Sequence, residues 1–273
     1  MIFAIQENFA KCRKSPSLGL KCLLMLLARP LVDLATLFYP GTCRACDAPC
    51  SDNWLCDACH LELNALAARA ACPFCARPLA TDNSPCPWCA GKCLRPLKKI
   101  AALGRYVGCL RTLILHAKFH GQWAVGEHLA DRLLDQPRAA QLLNQADLLV
   151  PIPLHWARQI ARGYNQAGVL AGTLSRRRLV ATDELLKRIR RTEPQTSLNA
   201  RLARARNVRG AFRLARGAAR FVAGKNIVLV DDVMTTAATL RSAARALQSG
   251  LPASISALVI AVADPGHADF EMI

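Results

Sequence analysis

The chain is 273 residues long, enough for one large domain or two modest ones, and 52% of it is hydrophobic, which excludes wholesale disorder. No apolar run reaches the roughly 18 residues that a membrane-spanning helix needs. The formal charge is +17, and it is uneven: residues 185–226 carry 12 Lys/Arg against 1 Asp/Glu, whereas residues 227–273 carry 2 against 5. A segment so basic suits a polyanion, whether nucleic acid, acidic lipid or a phosphorylated small molecule.

Residues 1–40 read as a helical lead-in. Leu20, Leu23, Leu24, Leu27, Leu31, Leu34 and Phe38 recur every three or four positions, which predicts one face of an amphipathic helix with a kink at Pro30. The apolar core Leu23–Leu27 is short and no small-residue cleavage site follows it, so a packing helix is favoured over an export signal.

Residues 41–95 are rich in Cys and Pro. Four CxxC pairs occur, Cys43/Cys46, Cys56/Cys59, Cys72/Cys75 and Cys86/Cys89, separated by nine residues within the first two and ten within the last two. A CxxC turn aims two thiolates at one point, and two turns complete a tetrahedral Zn²⁺ site. The spacing predicts two successive zinc ribbons, each a small hairpin held by metal. Cys50, His60 and Cys93 are spare potential ligands. A closed four-thiolate site is structural, so no chemistry is expected there. Cys12, Cys22 and Cys109 read as ordinary lone thiols. Eight thiolates holding two Zn²⁺ would lower the formal charge to about +13.

From residue 100 onward, apolar strands alternate with helical patterns. A turn or strand and then helix is expected over 100–135. Leu148–Pro153 reads as a buried strand, and about Asn165–Arg177 as a helix. The segment 185–220 reads as loop with helical stretches. Ile227–Val230 is a second buried strand, introduced by Gly224-Lys225-Asn226. Leu240, Ala243, Ala244 and Leu247 mark a helix face closed by Gly250, and Ile255–Val262 is a third strand. The alternation predicts an α/β domain with a mostly parallel, covered sheet.

The sharpest signal is the run from Ile227 to Thr239. An apolar strand leads into Asp231 and Asp232, then Val233, Met234, Thr235, Thr236, Ala237, Ala238 and Thr239, and then a helix. Loops at the carboxyl ends of parallel strands are where open α/β sheets bind ligands, and a helix start offers free N–H groups to phosphate. The threonines add hydroxyl donors, and the two acids can accept bonds from ribose hydroxyls and hold a divalent cation. The bland alternative is a strand end with solvated acids.

This stretch resembles the 5-phosphoribosyl 1-pyrophosphate (PRPP) signature of the type I phosphoribosyltransferases. The resemblance implies that Asp231 and Asp232 meet the ribose 2′- and 3′-hydroxyls with Mg²⁺, and that the loop holds the 5-phosphate. The family commonly has Gly where this chain has Ala237; a positive φ there would strain an alanine. The loop after Leu148–Pro153, with Leu154, His155, Arg158, Arg162, Asn165 and Gln166, matches the family's pyrophosphate loop. The arginine-rich stretch with Arg190, Arg191 and Gln195 matches its flexible closing loop. A solvated surface would explain any one of these arginines, and a structural role would equally explain His155.

As a whole the chain resembles the ComF/GntX family, a double zinc ribbon followed by a phosphoribosyltransferase-like domain. The resemblance spans about residues 20 to 264 and also rests on Lys118-Phe119-His120-Gly121, Arg162-Gly163-Tyr164-Asn165-Gln166 and Gly210-Ala211-Phe212. It implies domains at 1–40, 41–95 and 100–264 with a tail at 265–273, a cytoplasmic location, two structural Zn²⁺, and PRPP with Mg²⁺. It further implies a phosphoribosyltransferase linked to DNA uptake in natural competence, with no acceptor specified. The alternative is a non-catalytic protein on the same fold that holds single-stranded DNA with competence or recombination proteins.

Overall fold

The computed structural model describes residues 41–51, 54–82, 84–92, 94–119, 122–154, 159–160, 163–190, 208 and 210–263. The expected lead-in helix and the tail from 265 lie outside them, as do Cys12, Cys22 and Cys93. The chain divides into two compact units, Met1–Cys56 and Asp57–Ile273.

In the first unit a tight turn follows Cys43. Cys43 N donates to Ala48 O (2.8 Å), Asp47 N to Cys43 O (3.0 Å) and Cys50 N to Gly41 O (2.7 Å), with Asp47 at φ 59° and Thr42 bridged antiparallel to Pro49. The same turn recurs 29 positions later in the second unit. Cys72 N donates to Arg77 O (2.8 Å), Ala76 N to Cys72 O (3.0 Å) and Leu79 N to Ala70 O (2.9 Å), with Ala76 at φ 57° and Ala71 bridged to Pro78. The Cys-rich module is therefore built twice, down to its backbone bonds. Helix was not expected in this region. Yet an eleven-residue helix, α1 (Asp57–Ala67), carries Cys59, and its buried side adds Leu63 and Leu66.

The remaining elements of the second unit follow in order. They are β1 (Ile100–Arg105), α2 (Gly108–Phe119), α3 (Trp123–Leu134), α4 (Pro137–Asn144), β2 (Leu148–Pro151), α5 (Gln166–Arg178), β3 (Ala181–Thr182), β4 (Leu186–Arg188), β5 (Phe212–Leu214), α6 (Ala219–Val222), β6 (Asn226–Met234), α7 (Ala238–Gln248) and β7 (Ser254–Val262). Five strands form one parallel sheet in the order β1-β7-β6-β2-β3. The central strands are apolar on both faces, as a sheet covered on both sides requires: Val228, Leu229, Val230, Ala257, Leu258 and Val259 are all buried. Helix α7 lays Leu240, Ala243, Ala244 and Leu247 against this core, the face read from its spacing.

Two local features hold the helices around the sheet. Helix α2 begins at Gly108, φ +53°, where a Cβ would lie 1.8 Å from Glu62 Oε1; the space is given to that carboxylate, which accepts from Cys109 N (3.2 Å) at the positive end of the helix. Helix α5 ends in Arg176–Arg178. Arg176 pairs with Glu127 (2.7 Å) and Arg177 with Asp131 (2.9 Å) on α3, so two of these arginines bind the fold together.

The ends of the basic segment depart from the expected loop with helical stretches. β4 and β5 pair antiparallel, Leu186 opposite Leu214 and Arg188 opposite Phe212, and Ile189 N donates to Ala211 O (2.8 Å). Phe212 and Val208 are buried, and the Ser242 hydroxyl of α7 donates to the Val208 carbonyl. Hydrophobic anchoring at Phe212 outweighs the charge that obscures the pattern. Among the described residues no helix is long and apolar enough to cross a membrane.

Candidate functional site

Strand order locates the site. β2 hands the chain to its outer neighbour β3, while β6 hands it the opposite way to β7; β2 and β6 are adjacent, so the sheet's topological switch point lies between them. Pairing between β2 and β6 stops at Pro151 opposite Val230, with Ile152 N donating to Val230 O (2.8 Å). Pairing of β6 with β7 runs on to Met234 opposite Val262. The next residues of β6 after Val230 are Asp231 and Asp232. The acids therefore stand where β6 is still a strand on one side and open on the other.

Both carboxylates bend back onto the backbone. Asp231 Oδ1 accepts from Asp232 N (2.9 Å), and Asp232 Oδ1 accepts from Val233 N (2.6 Å). Lys118, buried near the end of α2, brings Nζ to 3.1 Å from Asp232 Oδ2. Burial and the neighbouring Asp232 charge push Asp231 up to about 8, against the opposing pull of the Asp232 amide and the charges of Lys118 and Arg188. Arg188 lies on β4 with its guanidinium 5.4 Å from the Phe212 ring centre. The pairing ribbon thus brings the start of the basic segment within electrostatic reach of the acids.

After the acids, Val233 and Met234 are buried, and Thr235, Thr236, Ala238 and Thr239 are partly exposed. Ala237 is the N-cap of α7 and sits left-handed at φ 58°, ψ 9°. The backbone there does adopt the conformation that the family's glycine suits, and an alanine holds it.

The loop after β2 is fastened at its far end. Asn165 Nδ2 donates to Ile152 O (3.1 Å), the Tyr164 hydroxyl donates to the Ala117 carbonyl of α2, and Gln166 is buried beside Lys118 and Asp232. Leu154 is partly exposed just beyond the strand. His155, Arg158 and Arg162 lie outside the described residues, as do Arg191, Gln195 and His120; Arg190 is exposed. A cleft of about 200 Å³ lined by Leu66–Ala71, Ala101–Arg105 and Gln136–Arg138 contains none of the predicted site residues.

Lys118 was recognisable in sequence but had no assigned place. Its signal is that it continues the apolar stripe Leu110, Ile114 at the same four-residue step, and a lysine in such a stripe needs an anionic partner. Arg188 opens the arginine-rich stretch, and nothing in its local pattern separates it from the arginines that follow.

The eight predicted cysteines gather into two groups, Cys43/Cys46/Cys56/Cys59 and Cys72/Cys75/Cys86/Cys89, with the sulfurs of each group within 4.8 Å of one another. Cys46 and Cys56 lie 3.6 Å apart, Cys72 and Cys89 3.4 Å, and Cys75 and Cys86 3.6 Å. A Zn–S bond of about 2.3 Å in a tetrahedron sets sulfurs about 3.8 Å apart, so both groups fit a four-coordinate metal. The second group is wholly buried. Burial drives the Cys75 thiol up; it also works to raise Cys86, but backbone amides and its thiol neighbours bring that group down to about 7. A metal ion bound there would deprotonate all four thiols together. Neither Cys50 nor His60 joins a group. Cys109 is buried, and its thiol donates to Cys59 O (3.7 Å).

Comparison with known proteins agrees with this anatomy. The phosphoribosyl transferase domain family matches residues 160–270. The DNA utilization protein YhgH of Escherichia coli K12 is 33% identical over 220 residues, 77% of this chain and 92% of that relative. Competence protein F of Haemophilus influenzae is 32% identical over 203 residues, 72% of this chain and 85% of that protein. Competence protein ComFC of Bacillus subtilis is 35% identical over 114 residues, 41% of this chain and 43% of that protein. With paired Cys₄ groups ahead of a phosphoribosyltransferase-type parallel sheet, and with YhgH and competence protein F matched over 92% and 85% of their lengths, the chain belongs to the ComF/GntX family.

Proposed function

We propose that the protein binds PRPP with Mg²⁺ at the switch point and acts as a phosphoribosyltransferase in the handling of incoming DNA. The observation that carries this reading is the sequence of parts at the end of β6: two carboxylates beside an opened strand edge, a threonine loop, and the first turn of α7. Asp231 and Asp232 accept the ribose hydroxyls. Thr235, Thr236 and the amides at the start of α7 receive the 5-phosphate. Carboxylate oxygens are the donors Mg²⁺ prefers, so the pair suits that ion, which would stabilise the charge of departing pyrophosphate. Lys118 neutralises Asp232 in the free protein and stands ready as a cation for the phosphate groups. Arg188, whose charge acts on Asp231, is a second cation for those groups. Displacement at the anomeric carbon needs no protein nucleophile: the acceptor substrate forms the new bond to that carbon as pyrophosphate leaves, and the protein supplies positive groups placed against the leaving pyrophosphate.

Calorimetry with PRPP and Mg²⁺ tests this, comparing the wild type with Asp231→Asn/Asp232→Asn. Binding that disappears in the double variant supports the site. Undetectable binding by the wild type at millimolar PRPP refutes it.

A second reading has its own observation, the net +11 of residues 185–226 together with relatives named for DNA utilization and competence. On that reading the segment holds single-stranded DNA. No aromatic residue lies between Arg176 and Arg206, so phosphate contact outweighs base stacking and affinity falls steeply with salt. A flat salt dependence would count against it.

A further inference from the structure

We propose that Arg77, in the second Cys₄ module, is a positioning residue for the loop after β6, so that this module serves as a brace for the phosphate site. The proposal rests on the reading of that loop given above. Arg77 follows the Cys72/Cys75 knuckle and is only 5% exposed, an unusual burial for an arginine. Its guanidinium carbon lies 4.2 Å from the ring centre of Trp88, which stands between Cys86 and Cys89. One face of the group is thus held by the other half of the same metal site.

Its nitrogens reach across to the sheet. Nη2 donates to the Thr235 carbonyl and Nη1 to the Ala263 carbonyl (3.4 Å). These acceptors sit together because Ala263 N donates to Met234 O (2.9 Å), continuing the β6–β7 ladder by one rung. Arg77 therefore grips the point where β6 ends and the threonine loop starts. The peptide joining Thr235 to Thr236 is planar and trans, so its C=O and N–H point in opposite directions. Drawing the Thr235 carbonyl to the guanidinium turns the Thr236 N–H away from the Cys₄ module. That sets the direction of the first amide in a loop whose next residue is the strained Ala237.

The knuckle itself does not call for an arginine. The equivalent position of the first module, 29 residues earlier, is Ala48, and the backbone bonds of the turn are the same there. The long side chain and its burial at position 77 answer to the loop.

The test uses the full-length, zinc-supplemented protein and the variants Arg77→Met and Arg77→Lys. Two quantities are read: PRPP·Mg²⁺ affinity by calorimetry, and hydrogen exchange of the Thr236 and Ala237 amides without ligand. Metal content and exchange across the β6 core serve as controls. Arg77→Met should keep its metal and its core protection, lose at least tenfold in affinity, and exchange the two loop amides at least tenfold faster. Arg77→Lys, which retains a donor, should fall between. If Arg77→Met does not fold, Arg77→Lys carries both readouts. Loop exchange and affinity within twofold of wild type would overturn the proposal. Should the wild type bind no PRPP, the reading of the loop as a phosphate site falls by itself, and exchange at Thr236 and Ala237 alone decides the role of Arg77.

Discussion

Lys118→Met keeps the length and apolar stem of the side chain and deletes the ammonium 3.1 Å from Asp232 Oδ2. At that separation two unit charges attract by about 5 kcal/mol at an effective dielectric of ~20. Lysine returns part of this as desolvation, since its side chain is 8% exposed, while Asp232 at 24% keeps some contact with water. Breaking a fully buried pair costs about 3–5 kcal/mol, so a loss of about 2–3 kcal/mol is expected here. For a unit of this size that corresponds to a fall of roughly 4–12 °C in Tm. Urea titration of the zinc-loaded protein at pH 8.5 and pH 5 is the assay. The loss should be smaller at pH 5, because Asp231 is already protonated there and no longer relies on Lys118. Lys118→Met/Asp232→Asn should recover at least half of it. A single variant within 0.5 kcal/mol of wild type at pH 8.5, or strict additivity in the double variant, would refute the reasoning.

The raised Asp231 carboxyl makes a pH prediction of definite sign. Its folded value, about 8, exceeds the ordinary 3.8, so its contribution to stability is intact below 3.8 and is lost as pH rises through about 8. Asp231→Asn should therefore gain on the wild type across that window, and parallel stability curves would contradict it. Ala237→Gly relieves about 1–2 kcal/mol of left-handed strain but returns most of it through chain entropy and a lost buried methyl, so stability should change by less than about 1 kcal/mol. Ala237→Val, branched at the same φ of 58°, should cost about 2 kcal/mol or more, and a valine variant as stable as wild type in urea would remove the strain argument. Cys72→Ser should lower bound zinc from two ions per chain to one by mass spectrometry, with the first Cys₄ group still loaded. Loss of both ions, or of neither, would break the assignment of two separate sites.

What was legible in the sequence was what local pattern encodes. β6 and β7 are long aliphatic runs bounded by turn residues, and α7 shows its buried face at three- and four-residue steps. The eight thiols were legible because a metal site is specified by spacing. The β4–β5 ribbon was not, since each strand is three residues long and set among arginines. β3 is two exposed residues with no pattern to read. Ala237 stands where the family commonly has glycine, and its φ of 58° is the left-handed conformation that the sequence could name only as a condition. Lys118 left a faint trace as a lysine in an apolar stripe. Arg77 left none: its partner Thr235 is 158 positions away, and long-range hydrogen bonds to backbone carbonyls put no constraint on the residues between.

The divergence of the chain at β2 and β6 has a consequence for how this protein tolerates change. The divergence is set by the path of the backbone, since two neighbouring strands send their continuations to opposite flanks. The recess is a property of the path of the backbone, whereas its chemistry is a lining that can be replaced. On the proposed reading, a substitution that abolishes catalysis would still leave the divergence of the two strands in place.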